Sequence, residues 1–168
     1  VDTNSANNPT PAQYALIGAD IGTAATDADN LALLSDIVGA QNAAGVDTIV
    51  EINTLARIAN AIQTTAAGGT AALSAADLTL IGLTGVTGDN LRAVLNVIDA
   101  QTDAGTSTDT LGKLQGIVDT AISAYQSALS AIQTAAQNNT ATDTNPTAVQ
   151  YADLGVSGVN AQNLGAIN

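Results

Sequence analysis

The chain repeats parts of its own sequence. Residues 9–14 read Pro-Thr-Pro-Ala-Gln-Tyr, and residues 146–151 read Pro-Thr-Ala-Val-Gln-Tyr, 137 positions later. A fainter copy relates Asp-Asn-Leu at 29–31 and Ala-Gln at 40–41 to the same residues 60 positions later. Such repetition is typical of arrays that grow by adding units, each burying its apolar face on the next. The repeat therefore favours a scaffold, a spacer or a binding surface over an enzyme.

Apolar residues recur at steps of three and four, which predicts helices. Thr10, Thr26 and Thr87 stand where N-caps belong, and Gly18 stands where a short first helix ends. Alternation at period two is scarce, so we expect an all-α chain. The predicted helices lie near 10–18, 26–42, 48–67, 74–82, 87–102, 107–137 and 146–155.

The helices group into tandem three-helix units. The predicted organisation is a linker at 1–9, a three-helix unit at 10–69, a second at 70–137 with a long last helix, a linker at 138–145, and the start of a third, incomplete unit at 146–168. The long helix would span about 45 Å and join units into a rod-like array. We expect the third copy to dock on the long helix through Tyr125, Leu129 and Ile132.

The core must be built from small side chains. The chain has no Phe, Trp or Met, and only 2% of its residues are aromatic, although 46% are hydrophobic. Leu, Ile, Val and Ala pack thin layers, which favours closely spaced helices over a large globule. We therefore expect ordinary stability, shared between neighbouring units.

The net charge of −12 excludes several classes of partner. The chain has fifteen acidic residues, fourteen of them Asp, and only three basic residues, Arg57, Arg92 and Lys113. Such a surface repels nucleic-acid phosphates and anionic membranes. No apolar run reaches the roughly 18–20 residues of a membrane span. No signal peptide is visible, so we expect the chain to be a piece of a longer protein whose export signal lies elsewhere.

The residue types that most catalytic sites need are missing. The chain has no His and no Cys, so serine nucleophiles lack a base and thiolate chemistry is excluded. Gly68-Gly69 lacks the lysine and the spacing of a nucleotide-binding loop. We therefore predict that the protein is not an enzyme and has neither a catalytic site nor a cofactor.

One acidic cluster offers oxygens that calcium accepts. Asp27, Asp29 and Asn30 supply three oxygen ligands in four residues. The glycine and the bidentate glutamate of an EF-hand loop are absent, however, and acidic residues also stabilise a helix N-terminus. The preferred interpretation is a helix cap, with calcium as the alternative. Residues 2–8 and 143–145 are interpreted in the same way, as linkers first and ion ligands second.

Two features indicate packing. Gly112 and Gly116 lie one turn apart on the long helix, where each costs about 1 kcal/mol relative to alanine. This cost favours a close approach by another backbone at these glycines. Tyr14 and Tyr151 are equivalent in the repeat, which favours a structural role for both.

Residues 146–164 carry a resemblance. They read Pro-Thr-Ala-Val-Gln-Tyr-Ala-Asp-Leu-Gly-Val-Ser-Gly-Val-Asn-Ala-Gln-Asn-Leu. This segment resembles the Ala/Asp/Thr-rich helical tandem repeats of giant secreted bacterial surface proteins of the adhesin or biofilm-matrix type. The resemblance implies an extracellular, cell-surface stalk or binding module without catalytic residues. The glycine–aspartate calcium repeats of many such proteins are absent, and the first copy has about four extra residues between Gly18 and Asn30.

Three functions fit these observations. The first is a structural repeat that spaces an adhesin tip from the cell, with neighbouring repeats as its partners. The second is a self-assembling filament subunit, because flagellin-like subunits share the Cys-poor, Ala/Gln/Asn/Thr-rich composition. The third is a helical module that binds a host or matrix protein through one helix face. The sequence names no ligand.

Overall fold

The computed structural model describes residues 8–101, 105–138 and 144–168. Within these ranges the chain is helical and has no strand, which confirms the all-α prediction. Two 3-10 turns, Gly22–Ala25 and Ala43–Gly45, flank the second helix. The α-helices are α1 (Pro11–Leu16), α2 (Ala28–Ala40), α3 (Ile49–Ala66), α4 (Ala75–Leu80), α5 (Leu91–Asp99), α6 (Leu111–Asn138), α7 (Ala148–Asp153) and α8 (Leu164–Ile167).

Three predicted helix starts are wrong. Helix α2 is capped by Asp27, whose side chain accepts from the Asn30 N–H, and not by Thr26. Helix α5 begins at Leu91 instead of residue 87, because the Asn90 side chain folds the preceding residues into a turn. Helix α6 begins at Leu111 instead of residue 107. Neither α8 nor the 3-10 turns were predicted.

Parts of other predictions fall outside the described residues. These parts are positions 1–7 of the first linker, position 102 of the fifth predicted helix and positions 139–143 of the second linker. The ion-ligand interpretation of residues 2–7 and 143 falls there too.

One continuous apolar core runs from Tyr14 to Ala121 along the chain. Helices from both predicted three-helix units contribute to it, because α3 contacts α5 and α2 contacts α6. Its largest fully buried side chains are all aliphatic, as the composition requires: Leu33, Leu34, Ile37, Leu55, Ile58, Ile62, Leu78, Ile81, Val94, Ile98, Leu114 and Val118. The core is therefore shared between the units.

Helix α6 packs with its first half and leaves its second half more exposed. Leu114, Val118 and Ala121 are buried, whereas Leu129 is 37% exposed. The prediction for Gly112 and Gly116 is wrong, because both glycines are exposed and no described atom lies within 4 Å of where their Cβ atoms would be. Each lies two residues before a buried position, which places it on the other side of the helix.

The long helix is held at its start by contacts from far along the chain. The Leu111 N–H donates to the Asp36 carboxylate of α2, at 2.6 Å, and Asp36 is only 4% exposed. Gln63 of α3 holds the turn before α6, donating to the Thr108 carbonyl at 3.2 Å and accepting from its hydroxyl at 3.1 Å. These bonds fix α6 against α2 and α3.

None of the described helices has the length and hydropathy needed to cross a membrane.

Candidate functional site: the repeated helix junctions

A short helix with the same cap begins each of the three sequence copies. Helices α1, α4 and α7 all start with a capping box, in which a hydroxyl side chain and the side chain three residues later each accept from the other's backbone N–H. The cap N–H lies 2.8–2.9 Å from the accepting side chain in all three. The pairs are Thr10 with Gln13, Ser74 with Asp77, and Thr147 with Gln150.

The same three helices end in the same way. Each is followed by a glycine with positive φ, at +79° for Gly18, +97° for Gly82 and +77° for Gly155. In each case the N–H after the glycine donates back to the carbonyl of Tyr14, Leu78 or Tyr151, at 2.9–3.0 Å. This six-to-one bond ends a helix where a residue adopts the left-handed conformation. The sequence copies are therefore also local structural copies.

The second and third copies share the next loop as well. Asn90 and Asn163 donate from Nδ2 to the carbonyls of Gly85 and Gly158, at 3.0 and 2.8 Å. Their Oδ1 atoms accept from backbone N–H groups three residues earlier, both at 2.8 Å.

The first copy departs from this loop. Its loop is four residues longer, and Asn30 instead donates to Thr23 and to Asn60 of α3. Asn30 is 2% exposed, and its Oδ1 has no partner among the described residues. In the first copy, the Asn30 side chain therefore contacts α3 instead of the backbone of its own loop.

Helix α4 lies beside the end of α2 and beside α3. Gln41, just after α2, donates to the Leu80 carbonyl at the end of α4, at 3.4 Å. Leu80 and Gln41 line a groove with Leu55 and Val50 of α3. Arg57 of α3 also pairs with the Asp77 carboxylate of α4.

The pKa of Asp77 reflects this packing. Burial raises it, but hydrogen bonds from Ser74 and the Arg57 guanidinium outweigh burial and hold it below its ordinary value.

Helix α7 packs on α6, and its last residues lie beside α5. Asp153, the counterpart of Leu80, lines a groove with Gln101, the counterpart of Gln41, and with Ala124 of α6. Gly155 is buried against Arg92 of α5, which donates to Ser157 at 3.4 Å.

Docking of the third copy on the long helix is confirmed, because α7 contacts α6. The predicted contact at Leu129 is wrong, since Leu129 is 37% exposed and the groove beside α7 is lined by Ala121 and Ala124. We call the α4 and α7 packing sites the first and second junction.

The calcium candidates have separate structural roles. Asp27 caps α2, and Asn30 is committed to Thr23 and Asn60. Asp29 lies so close to Gly105 that a Cβ atom there would collide with its carboxylate. No group of three or more Asp, Glu, His or Cys residues converges in the described part of the chain.

Sequence reasoning missed Asp36, Gln63 and Gln41. These residues make contacts over 75, 45 and 39 positions, and each lies within an ordinary helical pattern. Only the matching Ala-Gln pairs at 40–41 and 100–101 signalled that Gln41 has a repeated role.

Comparison of the chain with protein-family profiles, curated proteins and solved structures finds no match.

Proposed function

We propose that this chain is a non-enzymatic structural repeat segment, a stalk or spacer of a large bacterial surface protein. The observation that supports it best is the recurrence of one local structure. A short helix with a capping box and a terminal glycine of positive φ occurs three times, as α1, α4 and α7, and α7 packs on the long helix α6. Units that recur along one chain and pack on their neighbours are how an array extends.

The surface chemistry agrees with a spacer. The chain carries −12 net charge and no cysteine, and many exposed hydroxyls bond their own helix, as Thr120, Ser123 and Ser127 do on α6. Self-repulsion of like charges favours solubility and separation over adhesion to anionic surfaces. Placement at a bacterial cell surface rests on the resemblance of residues 146–164 alone.

A self-assembling extracellular subunit is the second candidate. Exposed apolar side chains on α1 and α7 favour it, since Leu16 is 86% exposed and Val149 68%. Subunits that meet head to tail through such patches form filaments. A helical module that binds a host or matrix protein is the remaining alternative.

Solution scattering on chains of one, two and three 137-residue units tests the spacer. A stiff spacer gains the same increment of maximum dimension with each unit, at all protein concentrations. Compact particles that fail to lengthen would contradict it. Growth in mass with concentration from the single unit would favour the filament subunit instead.

The location needs its own experiment. Protease treatment of intact cells that carry the parent protein should remove the repeats while leaving cytosolic markers intact. Repeats that survive until lysis would contradict the surface assignment.

A further inference from the structure

Helix α1 lacks the packing that its copy α7 has on α6. Leu16, Leu80 and Asp153 occupy the same position, two residues after Tyr14, Leu78 and Tyr151. Leu80 and Asp153 each line a groove against a preceding helix pair. Leu16 is 86% exposed, the highest value among the large exposed hydrophobic residues in the described part of the chain.

The glycine that ends α1 also differs from the glycine that ends α7, whereas Gly82 at the end of α4 is as open as Gly18. Gly155 is buried against Arg92, so that a Cβ atom there would lie 2.8 Å from the Arg92 Cγ atom. Gly18 has the same backbone conformation, yet it is exposed and no described atom lies within 4 Å of its Cβ position. The face of α1 that corresponds to the packed face of α7 is therefore open.

We propose that α1 binds the α5–α6 end of a preceding copy of this unit, at the site that α7 occupies here. A second copy of the unit is the expected partner, because the 137-residue repeat makes α7 the counterpart of α1. The inference rests on the proposed array, and it specifies the contact by which one unit holds the next.

The residues that differ between α1 and α7 suit that contact. Leu16 replaces Asp153 beside the apolar side chains of Val97, Ala121 and Ala124, and burying leucine there is favourable. Asp20 replaces Ser157, two residues after the glycine, and would face the Arg92 guanidinium. A carboxylate pairs with arginine more strongly than a hydroxyl does.

A graft in the full chain tests the fit. Four substitutions, Ala148→Pro, Val149→Ala, Asp153→Leu and Leu154→Ile, turn the α7 segment 147–155 into the α1 segment 10–18. If α1 fits the site, the midpoint of unfolding stays at or above that of the parent chain. Adding Ser157→Asp raises it further at low salt, and Arg92→Ala removes that gain.

A probe in the groove reports docking directly. Since the chain has no cysteine, Ala124→Cys gives a single thiol that lines the site. Its labelling rate in the graft should equal or fall below its rate in the parent. A rise of about tenfold, the sign of local opening, together with a lower midpoint, would overturn the proposal.

A tandem chain extends the test to two real units. Residue 144 of one copy runs into residue 8 of the next, so that α1 of the second copy stands where α7 stood. A Leu16→Cys thiol in the second copy should label about tenfold more slowly than in the single chain. Ala12→Cys is the matched control, because its counterpart Val149 stays 68% exposed at the second junction. Equal labelling of Cys at 16 in both contexts would overturn the proposal.

The experiments distinguish an incorrect assignment of this contact from an incorrect spacer function. If each added unit lengthens the particle by a constant increment while the thiol at position 16 stays accessible, the spacer function is supported and this contact is contradicted. A protected thiol in a protein that is not exposed at the cell surface would keep the junction and remove the surface role.

Discussion

Gly155 lies directly against Arg92, so that a Cβ atom on Gly155 would come within 2.9 Å of the Arg92 Cβ and 2.8 Å of its Cγ. This contact belongs to the second junction, where the third sequence copy packs on α5 and α6. Its counterpart Gly18 shares the positive φ without the neighbour. Substitutions at Gly18 and Gly155 can therefore distinguish the free-energy cost of backbone strain from the cost of a steric collision.

We expect Gly18→Ala to lower the free energy of unfolding by about 1 kcal/mol, the cost of placing a Cβ in the left-handed region. Gly155→Ala should cost about 1–3 kcal/mol more, because it also overpacks a contact that cannot relax fully. Urea denaturation of both variants measures the difference. Equal losses would mean that α7 moves away from Arg92 freely.

Gly116→Ala should stabilise the protein by about 1 kcal/mol, because a glycine inside an exposed helix face costs that much. The added methyl meets open space. The contrasting variant is Gly69→Ala, whose Cβ would lie 2.9 Å from the Thr64 carbonyl oxygen and should destabilise. Thermal unfolding decides both, and a lower midpoint for Gly116→Ala would reveal a partner on this face of α6.

Tyr14→Phe and Tyr151→Phe should have different effects on stability. The Tyr14 hydroxyl is buried with no partner among the described residues, and burial raises its pKa. Removing it should be neutral or stabilising. Tyr151 donates to Asn168 at 2.9 Å, so Tyr151→Phe should cost about 0.5–1 kcal/mol. A destabilised Tyr14→Phe would indicate a bound water at that hydroxyl.

Asp77→Ala should make unfolding less sensitive to acid. The pKa of Asp77 is below its ordinary value of 3.8 in the folded protein, so the charged carboxyl stabilises the fold above that value. This contribution disappears as the pH falls through the folded pKa. The loss caused by Asp77→Ala should be about 1 kcal/mol at pH 7 and should shrink towards pH 2.

The matched control is Gln13→Ala. It removes the same capping-box position from α1 with a neutral side chain, so its cost should not change with pH. Urea denaturation at a series of pH values compares the two variants. Parallel curves for Asp77→Ala and Gln13→Ala would show that the charge on Asp77 contributes nothing.

Calcium should leave the midpoint of unfolding nearly unchanged. Asp27 already caps α2 by accepting from the Asn30 N–H at 2.8 Å, and Asp29 faces Gly105. Asp27→Ala should therefore cost about 1 kcal/mol with or without calcium. Thermal scans with millimolar calcium and with chelator measure this. A rise of many degrees that Asp27→Ala abolishes would establish a calcium site instead.

The sequence predicted the parts of the structure that hydrogen bonds between neighbouring residues form, namely the helices and their ends. The capping boxes of α1, α4 and α7 join residues three apart, and the glycine ends bond back over five. Such contacts depend on neighbours in the chain, so residue type and spacing indicate them. The matching Pro-Thr and Gln-Tyr segments thus predicted that α7 would fold like α1, and steps of three and four predicted the helices.

Tertiary structure alone decided how these pieces meet. The Asp36 carboxylate accepts from the Leu111 N–H at the start of α6, although the two residues are 75 positions apart. The sequence pattern around residue 107 does not indicate that the helix begins only at Leu111. Gly112 and Gly116 are exposed, so no other helix of the described chain covers the face on which they lie. A periodic pattern defines an apolar stripe on a helix, but it does not define which helix covers that stripe. The covering contacts join distant parts of the chain, and the entropy cost of bringing those parts together is offset only when the whole core is assembled.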